Sequence, residues 1–175
     1  LTDVAQCTSC PVGKKGKANG QSTLDGGCES CTVGTDFQDE EGMVACKPDV
    51  CGVGTFAKIA LGDPAKKTQC DNCPAGRYSG VTGLVSADEC NACAIGRYNV
   101  DTGVTKADAC TKCPAGKRGR VDGQGSESKG CANCIIGKEY QDQSGMVSCK
   151  FSPCGAGTHA TAESTNTTVK VKCLR

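Results

Sequence analysis

Cysteine is the residue here that can do chemistry: 17 of the 175 residues are Cys, at Cys7, Cys10, Cys28, Cys31, Cys46, Cys51, Cys70, Cys73, Cys90, Cys93, Cys110, Cys113, Cys131, Cys134, Cys149, Cys154 and Cys173. Most stand in Cys-x-x-Cys pairs, which can bind zinc as thiolates, exchange disulfides, or cross-link the chain. Cys7 and Cys10 with Cys28 and Cys31, and Cys110 and Cys113 with Cys131 and Cys134, have the ligand spacing of a four-cysteine zinc ribbon. The frame nevertheless runs on without grouping into fours. Cys46 with Cys51, and Cys149 with Cys154, stand at an offset of five that no ribbon uses. Cystines are therefore the first reading and a zinc-binding four-cysteine module an alternative. Exchange chemistry needs a thiol activated at a helix N-terminus, whereas these pairs run into loop residues such as Cys73-Pro74-Ala75-Gly76.

The other reactive side chains are few. His159 is the single imidazole, and a Ser-His-Asp or Cys-His set needs a buried, partnered base; a fully bridged chain has no thiol to activate, so no catalytic residue is assigned. Phe37, Phe56, Tyr78, Tyr98 and Tyr140, with His159 in the same role, follow a loop glycine by two or three residues. One ring per loop suggests cover for a disulfide rather than a ligand hot spot. Lys14-Lys15-Gly16-Lys17 and Lys117-Arg118-Gly119-Arg120 occupy equivalent sites, with acidic residues across 36–41 between them. Such bands are expected to be solvated and could register neighbouring molecules. Asp36, Asp39, Glu40 and Glu41 lack the ligand spacing of a calcium loop. No metal site or cofactor is assigned. Asn166-Thr167-Thr168 is a glycosylation sequon in a Thr-rich and Ser-containing stretch, 161–168.

The elements that must hold these residues cannot rest on an oily core. Leu, Ile and Phe are scarce beside 24 Gly and 6 Pro, and there is no Trp, so cross-links must replace burial. The formal charge of +1 gives no field that would gather nucleic acid or an anionic membrane surface. The longest apolar runs, such as Ile59-Ala60-Leu61, are far below the roughly 20 residues of a membrane helix, so no membrane insertion by this segment is expected.

The chain repeats itself at 103 residues: adding 103 to the first seven cysteine positions gives the last seven, and about 27 of the 64 positions from 7 to 70 match their partners. Phe37-Gln38-Asp39 returns as Tyr140-Gln141-Asp142, and Gly42-Met43-Val44 as Gly145-Met146-Val147. Within the long period lies a shorter one of about 20 residues, a loop that opens on Cys, passes a Gly three residues later and ends on the next Cys. Pairing the second Cys of each CxxC with the first of the next gives Cys10 with Cys28, Cys31 with Cys46, Cys51 with Cys70, Cys73 with Cys90, Cys93 with Cys110, Cys113 with Cys131, Cys134 with Cys149 and Cys154 with Cys173. Cys7 is left unpaired within the sequence, and its partner is expected before residue 1, in a longer protein. Closing loops of this size is worth about 3 kcal/mol each in the chain-entropy model. The expected organisation is the end of a preceding repeat at 1–6, three cystine loops at 7–72, two at 73–109 and a second copy of three at 110–175. The fold class is small and disulfide-rich: tandem cystine loops with short β-hairpins, almost no helix, each loop touching mainly its neighbours in an elongated rod.

Cys70-x-x-Cys73-Pro74-Ala75-Gly76-Arg77-Tyr78-Ser79 with Gly83, closing on Cys90-Asn91-Ala92-Cys93, resembles the ephrin-A/B-receptor-like cysteine-rich repeat. Cys51-Gly52-Val53-Gly54-Thr55-Phe56 through Cys70 also resembles the first loop of a tumour necrosis factor receptor module. Such modules occur in receptors, in secreted matrix proteins and in large repetitive surface proteins of algae and other protists. The resemblance implies a non-enzymatic, extracellular structural segment of a long cell-surface or filament protein. Its expected partners are other copies of the same or a related surface protein, with glycans possible. A receptor ectodomain for a protein ligand is the alternative; it requires one loop to diverge into an apolar or aromatic patch, and none is evident in the sequence.

Overall fold

The structure, a computed structural model, describes residues 8–58, 62–161 and 166–175. Cys7 and the expected preceding repeat at 1–6 lie outside the described residues, as do 162–165 of the Thr-rich stretch. Eight disulfides close eight successive loops: loop 1 is Cys10–Cys28, loop 2 Cys31–Cys46, loop 3 Cys51–Cys70, loop 4 Cys73–Cys90, loop 5 Cys93–Cys110, loop 6 Cys113–Cys131, loop 7 Cys134–Cys149 and loop 8 Cys154–Cys173. By contact density the chain forms two compact units. One runs to Asp71 and takes in Val81–Glu89; the other joins Asn72–Gly80 to Cys90–Arg175.

Every loop opens the same way. The residue after the first cysteine accepts a hydrogen bond from the N–H three residues on, as Lys14 to Pro11, Arg77 to Pro74 and Lys117 to Pro114. The third residue of this turn is always glycine, with φ between +74° at Gly54 and +87° at Gly96. That is the type II turn, whose third position requires positive φ and hence glycine. The turn delivers a strand of two or three residues that pairs antiparallel with residues at the end of the loop, as Lys14–Gly16 with Cys28–Ser30, Arg77–Tyr78 with Asn91–Ala92, Arg97–Tyr98 with Thr111–Lys112 and Lys117–Gly119 with Cys131–Asn133. Among the described residues helix is confined to single turns, Leu24–Gly27 and Glu127–Gly130 one period apart, and three-residue 3-10 turns at Ala87–Glu89 and Ala107–Ala109. Thr23 caps the first helical turn by accepting from Gly26 N–H at 3.2 Å.

The interior is cystine. Apart from Ala57 and Val171, every buried apolar residue among those described is a cysteine, and Cys73, Cys93 and Cys113 are fully inaccessible. Large aliphatic and aromatic side chains lie outside, as Val44 and Phe151 do at 81% and 71% exposure. Sulfur bridges thus occupy the space that Leu and Phe fill in larger domains.

Besides the contacts between successive loops, some reach one loop further. A Cβ built on Gly76 of loop 4 would strike the backbone of Gly123 and Gln124 in loop 6, and one on Gly96 of loop 5 would lie 2.5 Å from the Gly145 carbonyl in loop 7. The glycine of the opening turn is therefore needed twice, for its φ and for the backbone of the second loop onward. Gly157 of loop 8 has the same turn and a φ of +78° but no described neighbour within 4 Å. Gly157→Ala is expected to cost about 1 kcal/mol for left-handed backbone alone, and Gly76→Ala about 3 kcal/mol or more because steric overlap adds. Denaturant unfolding of the two variants with disulfides intact measures the difference.

Candidate functional site

The feature repeated most regularly is the junction between successive loops, built from backbone groups. The carbonyl of a loop's first cysteine accepts from a positive-φ glycine N–H in the next loop: Cys10 from Gly42, Cys51 from Gly83, Cys73 from Gly103, Cys93 from Gly123 and Cys113 from Gly145, at 2.8–2.9 Å. Six residues after that cysteine, an N–H donates to the carbonyl just past the same glycine: Gly16 to Met43, Ala57 to Leu84, Ser79 to Val104, Asn99 to Gln124 and Gly119 to Met146. Two hydrogen bonds of about 1 kcal/mol net each make one clasp, and the disulfide fixes the geometry that presents both groups. In loops 2 and 7 the donor moves one residue on, to Gln38 and Gln141, which reach Pro64 and Thr167. That shift accompanies the four-residue spacers after Cys46 and Cys149. In the first of these, Asp49 is buried and its carboxylate accepts from Thr68 N–H.

The residue after the ring position is buried in loops 2 to 5 and 7. Gln38 and Gln141 are 0% and 1% exposed, and Ser79, Asn99 and Ala57 are buried too. Gln141 Nε2 donates to the Ser148 carbonyl at 2.7 Å and its Oε1 accepts from Gln143 N–H at 3.1 Å; Gln38 does the same with Ala45 and Glu40. Each glutamine thus ties the strand to the end of its loop. Asn99 keeps the shorter bond, Oδ1 to Asp101 N–H, but one methylene less leaves its Nδ2 without a partner among the described residues. In loops 4 and 5 an arginine adds a further tie: Arg77 and Arg97 donate from Nη1 to the carbonyls of Cys90 and Cys110 at 2.8 and 2.9 Å. The sequence carried a signal for the glutamines, their return at 103 residues, but no signal for their burial.

The ring positions of loops 3 to 5 pair with the next loop through their backbone. Phe56, Tyr78 and Tyr98 form parallel β-bridges to Leu84, Val104 and Gln124 of the following loop. Tyr98 packs over Gly130, where a Cβ would come within 3.3 Å of the tyrosine Cβ, and its hydroxyl donates to Glu127 at 3.4 Å. His159, in the equivalent strand of loop 8, is exposed.

The charge bands are largely paired within their own loops. Lys14 lies 3.6 Å from Asp25, Lys15 3.6 Å from Glu29 and Lys117 2.7 Å from Glu127. Lys47 reaches Asp39 at 2.6 Å and Glu40 at 2.9 Å, and one period later Lys150 reaches Asp142 at 2.5 Å. The Lys150 hydrogen bond holds the Asp142 carboxyl below the ordinary aspartate range, and the same bond raises the lysine. Asp39 and Lys47 shift in the same directions for the same cause, and Glu127 is lowered chiefly by Lys117. A lowered carboxylate favours folding above its ordinary titration range and loses that contribution as pH falls through its depressed value. A raised lysine contributes below its ordinary range and loses it as pH rises through its elevated value. The pairs are exposed, so their effect on stability is small.

The sulfurs are not free ligands. Asp36 lies beside Cys31 and Cys46, but those two cysteines are bonded to each other, and the Asp36 carboxylate accepts from Thr32 N–H at 2.6 Å. The described cysteines of both ribbon-like quartets, Cys10, Cys28 and Cys31 and then Cys110, Cys113, Cys131 and Cys134, are likewise held in disulfides. None offers the thiolate that zinc requires in this oxidised form. No helix among the described residues is long and apolar enough to cross a membrane.

Two shallow clefts lie beside the clasps. One, of about 330 Å³, is lined by Tyr78, Ala94, Arg97 and Asp108. The other, of about 530 Å³, is lined by Ser9, Gly20, Gln21, Leu24 and Gly27 of the loop 1 region. Gly20 and Gln21 stand where Gly123 and Gln124 make the loop 6 half of a clasp, yet no described residue lies within 4 Å of a Cβ built on Gly20. At the other end of the loop series, Ala160 is exposed where its equivalent, Ala57, is 2% exposed.

No protein-family model and no curated protein sequence matches the chain. The geometry therefore stands on its own.

Loop 7 shows a divergence that sequence reading missed. Ile135, Ile136 and Phe151, exposed at 55%, 61% and 71%, replace Thr32, Val33 and Pro48 of the first copy. Phe151 lies opposite Glu139 in the strand pair, and the Glu139 carboxylate accepts from Ile135 N–H. Phe151 stands 15 positions after Ile136 in sequence, and the strand register sets it opposite Glu139.

Two outcomes test this account. Gln141→Leu, which removes both side-chain bonds of a buried group, is expected to lower stability by about 1 to 3 kcal/mol in denaturant unfolding. Lys150→Met is expected to move the Asp142 titration, followed by carbon-13 NMR, up toward the ordinary aspartate range while the melting temperature at neutral pH stays nearly constant.

Proposed function

We propose that the chain is a non-enzymatic, extracellular structural segment, a disulfide-laddered unit of a long cell-surface or filament protein whose partners are other copies of the same or a related protein. The observation that supports this most directly is that burial is invested in cystines and in backbone clasps repeated from loop to loop. Eight disulfides fit an oxidising compartment, since reducing cytosol would keep such thiols free. The likeness of Cys70 through Cys93 to ephrin-receptor-like repeats points the same way.

A receptor role is the second reading, and the exposed Ile135, Ile136 and Phe151 of the loop 7 region favour it, because aromatic and aliphatic anchors carry binding energy at protein interfaces. A zinc-binding module is the third; it requires the cysteines reduced.

Immunogold electron microscopy on thin sections of source cells, with an antibody raised against this chain, tests the first reading. Label along surface fibres or coats is the expected result, and label confined to the cell interior overturns it. Thiol titration and non-reducing peptide mapping of the same material are expected to return the eight bridges and no stoichiometric zinc. Many titratable thiols with bound zinc would establish the third reading instead.

A further inference from the structure

The end of loop 8 contains a turn that the first copy shares in shape but not in chemistry. In loop 3 the Asp63 carboxylate accepts from Ala65 N–H at 2.9 Å; one period on, Asn166 Oδ1 accepts from Thr168 N–H, also at 2.9 Å. Both are Asx turns, in which a side-chain oxygen stands in for a backbone carbonyl. The turn positions the next carbonyl for the clasp: Pro64 accepts from Gln38 N–H, and Thr167 from Gln141 N–H. An aspartate serves that purpose equally well, as loop 3 demonstrates.

What changes between the copies is the triplet, from Asp63-Pro64-Ala65 to Asn166-Thr167-Thr168. Asparagine replaces a carboxylate that cannot be glycosylated, threonine replaces the proline that blocks the middle position of a sequon, and Thr168 supplies the required hydroxyl. Three changes at one turn create the only Asn-x-Ser/Thr in the chain. The Thr168 hydroxyl also donates to Asn166 Oδ1, at 2.6 Å. With Oδ1 engaged by two donors from Thr168, the planar amide directs Nδ2 to the opposite side, and Asn166 itself is exposed.

We propose that Asn166 carries an N-linked glycan, and that the turn holding it is shaped to present the sugar outward while its backbone serves the loop 7 to loop 8 clasp. The donor is a lipid-pyrophosphate-linked oligosaccharide. Asn166 Nδ2 forms a bond to the anomeric carbon of the sugar, the bond from that carbon to the pyrophosphate oxygen breaks, the lipid pyrophosphate leaves with the electron pair, and the amide nitrogen loses one proton. Loop 3 stays bare at the equivalent site, so the modification distinguishes the two copies of an otherwise shared frame. The inference rests on the extracellular reading above, because the transfer takes place on chains entering the secretory route.

Glycopeptide mass spectrometry of the chain purified from its source tests it. The peptide carrying Asn166 is expected to appear as a heterogeneous series of higher mass that collapses on treatment with peptide-N-glycosidase to a single species with aspartate at position 166. The intact chain expressed in the same source as Asn166→Asp is expected to lose the series and still form all eight disulfides, since aspartate keeps the turn. Thr168→Ala is expected to lose it as well. An unmodified Asn166 peptide, or a series that persists in Asn166→Asp, overturns the proposal. An unmodified peptide from material that immunogold places at the cell surface defeats the glycan alone; interior label defeats the extracellular reading itself.

Discussion

Closure of small rings by sulfur is the constraint on which everything else rests. A loop whose bridged cysteines stand 15 to 19 positions apart has little apolar surface to bury, and backbone ordering alone costs about 1 to 2 kcal/mol per residue. The bridge removes much of that cost beforehand by restricting the unfolded chain. It also fills the interior, which explains why Cys73, Cys93 and Cys113 are inaccessible while Val44 and Phe151 face solvent. Once the ring is closed, the type II turn after its first cysteine and the short strand pair inside it have few alternatives.

Closed rings still have to be joined, and the join is made by backbone. Side chains vary between loops, but the Cys carbonyl and the N–H six residues on recur wherever the ring geometry recurs. Where the donor stands six residues after the cysteine, the receiving side is a glycine with positive φ, whose N–H and following carbonyl both face the previous loop. The second glycine requirement, close approach two loops onward at Gly76 and Gly96, makes the frame less tolerant than a chain of independent beads. Glycine is therefore as much a part of this architecture as cysteine.

These two residue types were also what made the fold legible. The bridges in the structure follow the order given by cysteine spacing, and the near absence of helix follows from the lack of any helical period. What spacing could not show was reach. The clasps run between backbone groups and leave no residue-type signature beyond a glycine, and the contacts to the second loop onward depend on how the rings stack. The buried Gln38 and Gln141 were visible as repeated residues, but burial of a polar side chain depends on finding a carbonyl and an N–H within bonding distance, which only the folded loop provides. The apolar residues of the loop 7 region were missed for a similar reason, since their exposure, and the pairing that sets Phe151 opposite Glu139, are decided by the folded loop.

Comparison of the two copies separates scaffold from function. Positions held constant at 103 residues include the cysteines, the turn glycines and the buried Gln38 and Gln141, together with the exposed Lys47 and Lys150 ion pairs that close the loop ends. Positions that differ face outward or sit at turn tips: Thr32 against Ile135, Pro48 against Phe151, Leu24 against Glu127, and Pro64 against Thr167. A frame whose interior cannot vary without loss of a bridge or a clasp can change only its surface. Whatever each loop contributes to recognition must then be written in those outward residues, one loop at a time, with the ladder of bridges keeping the backbone beneath them the same.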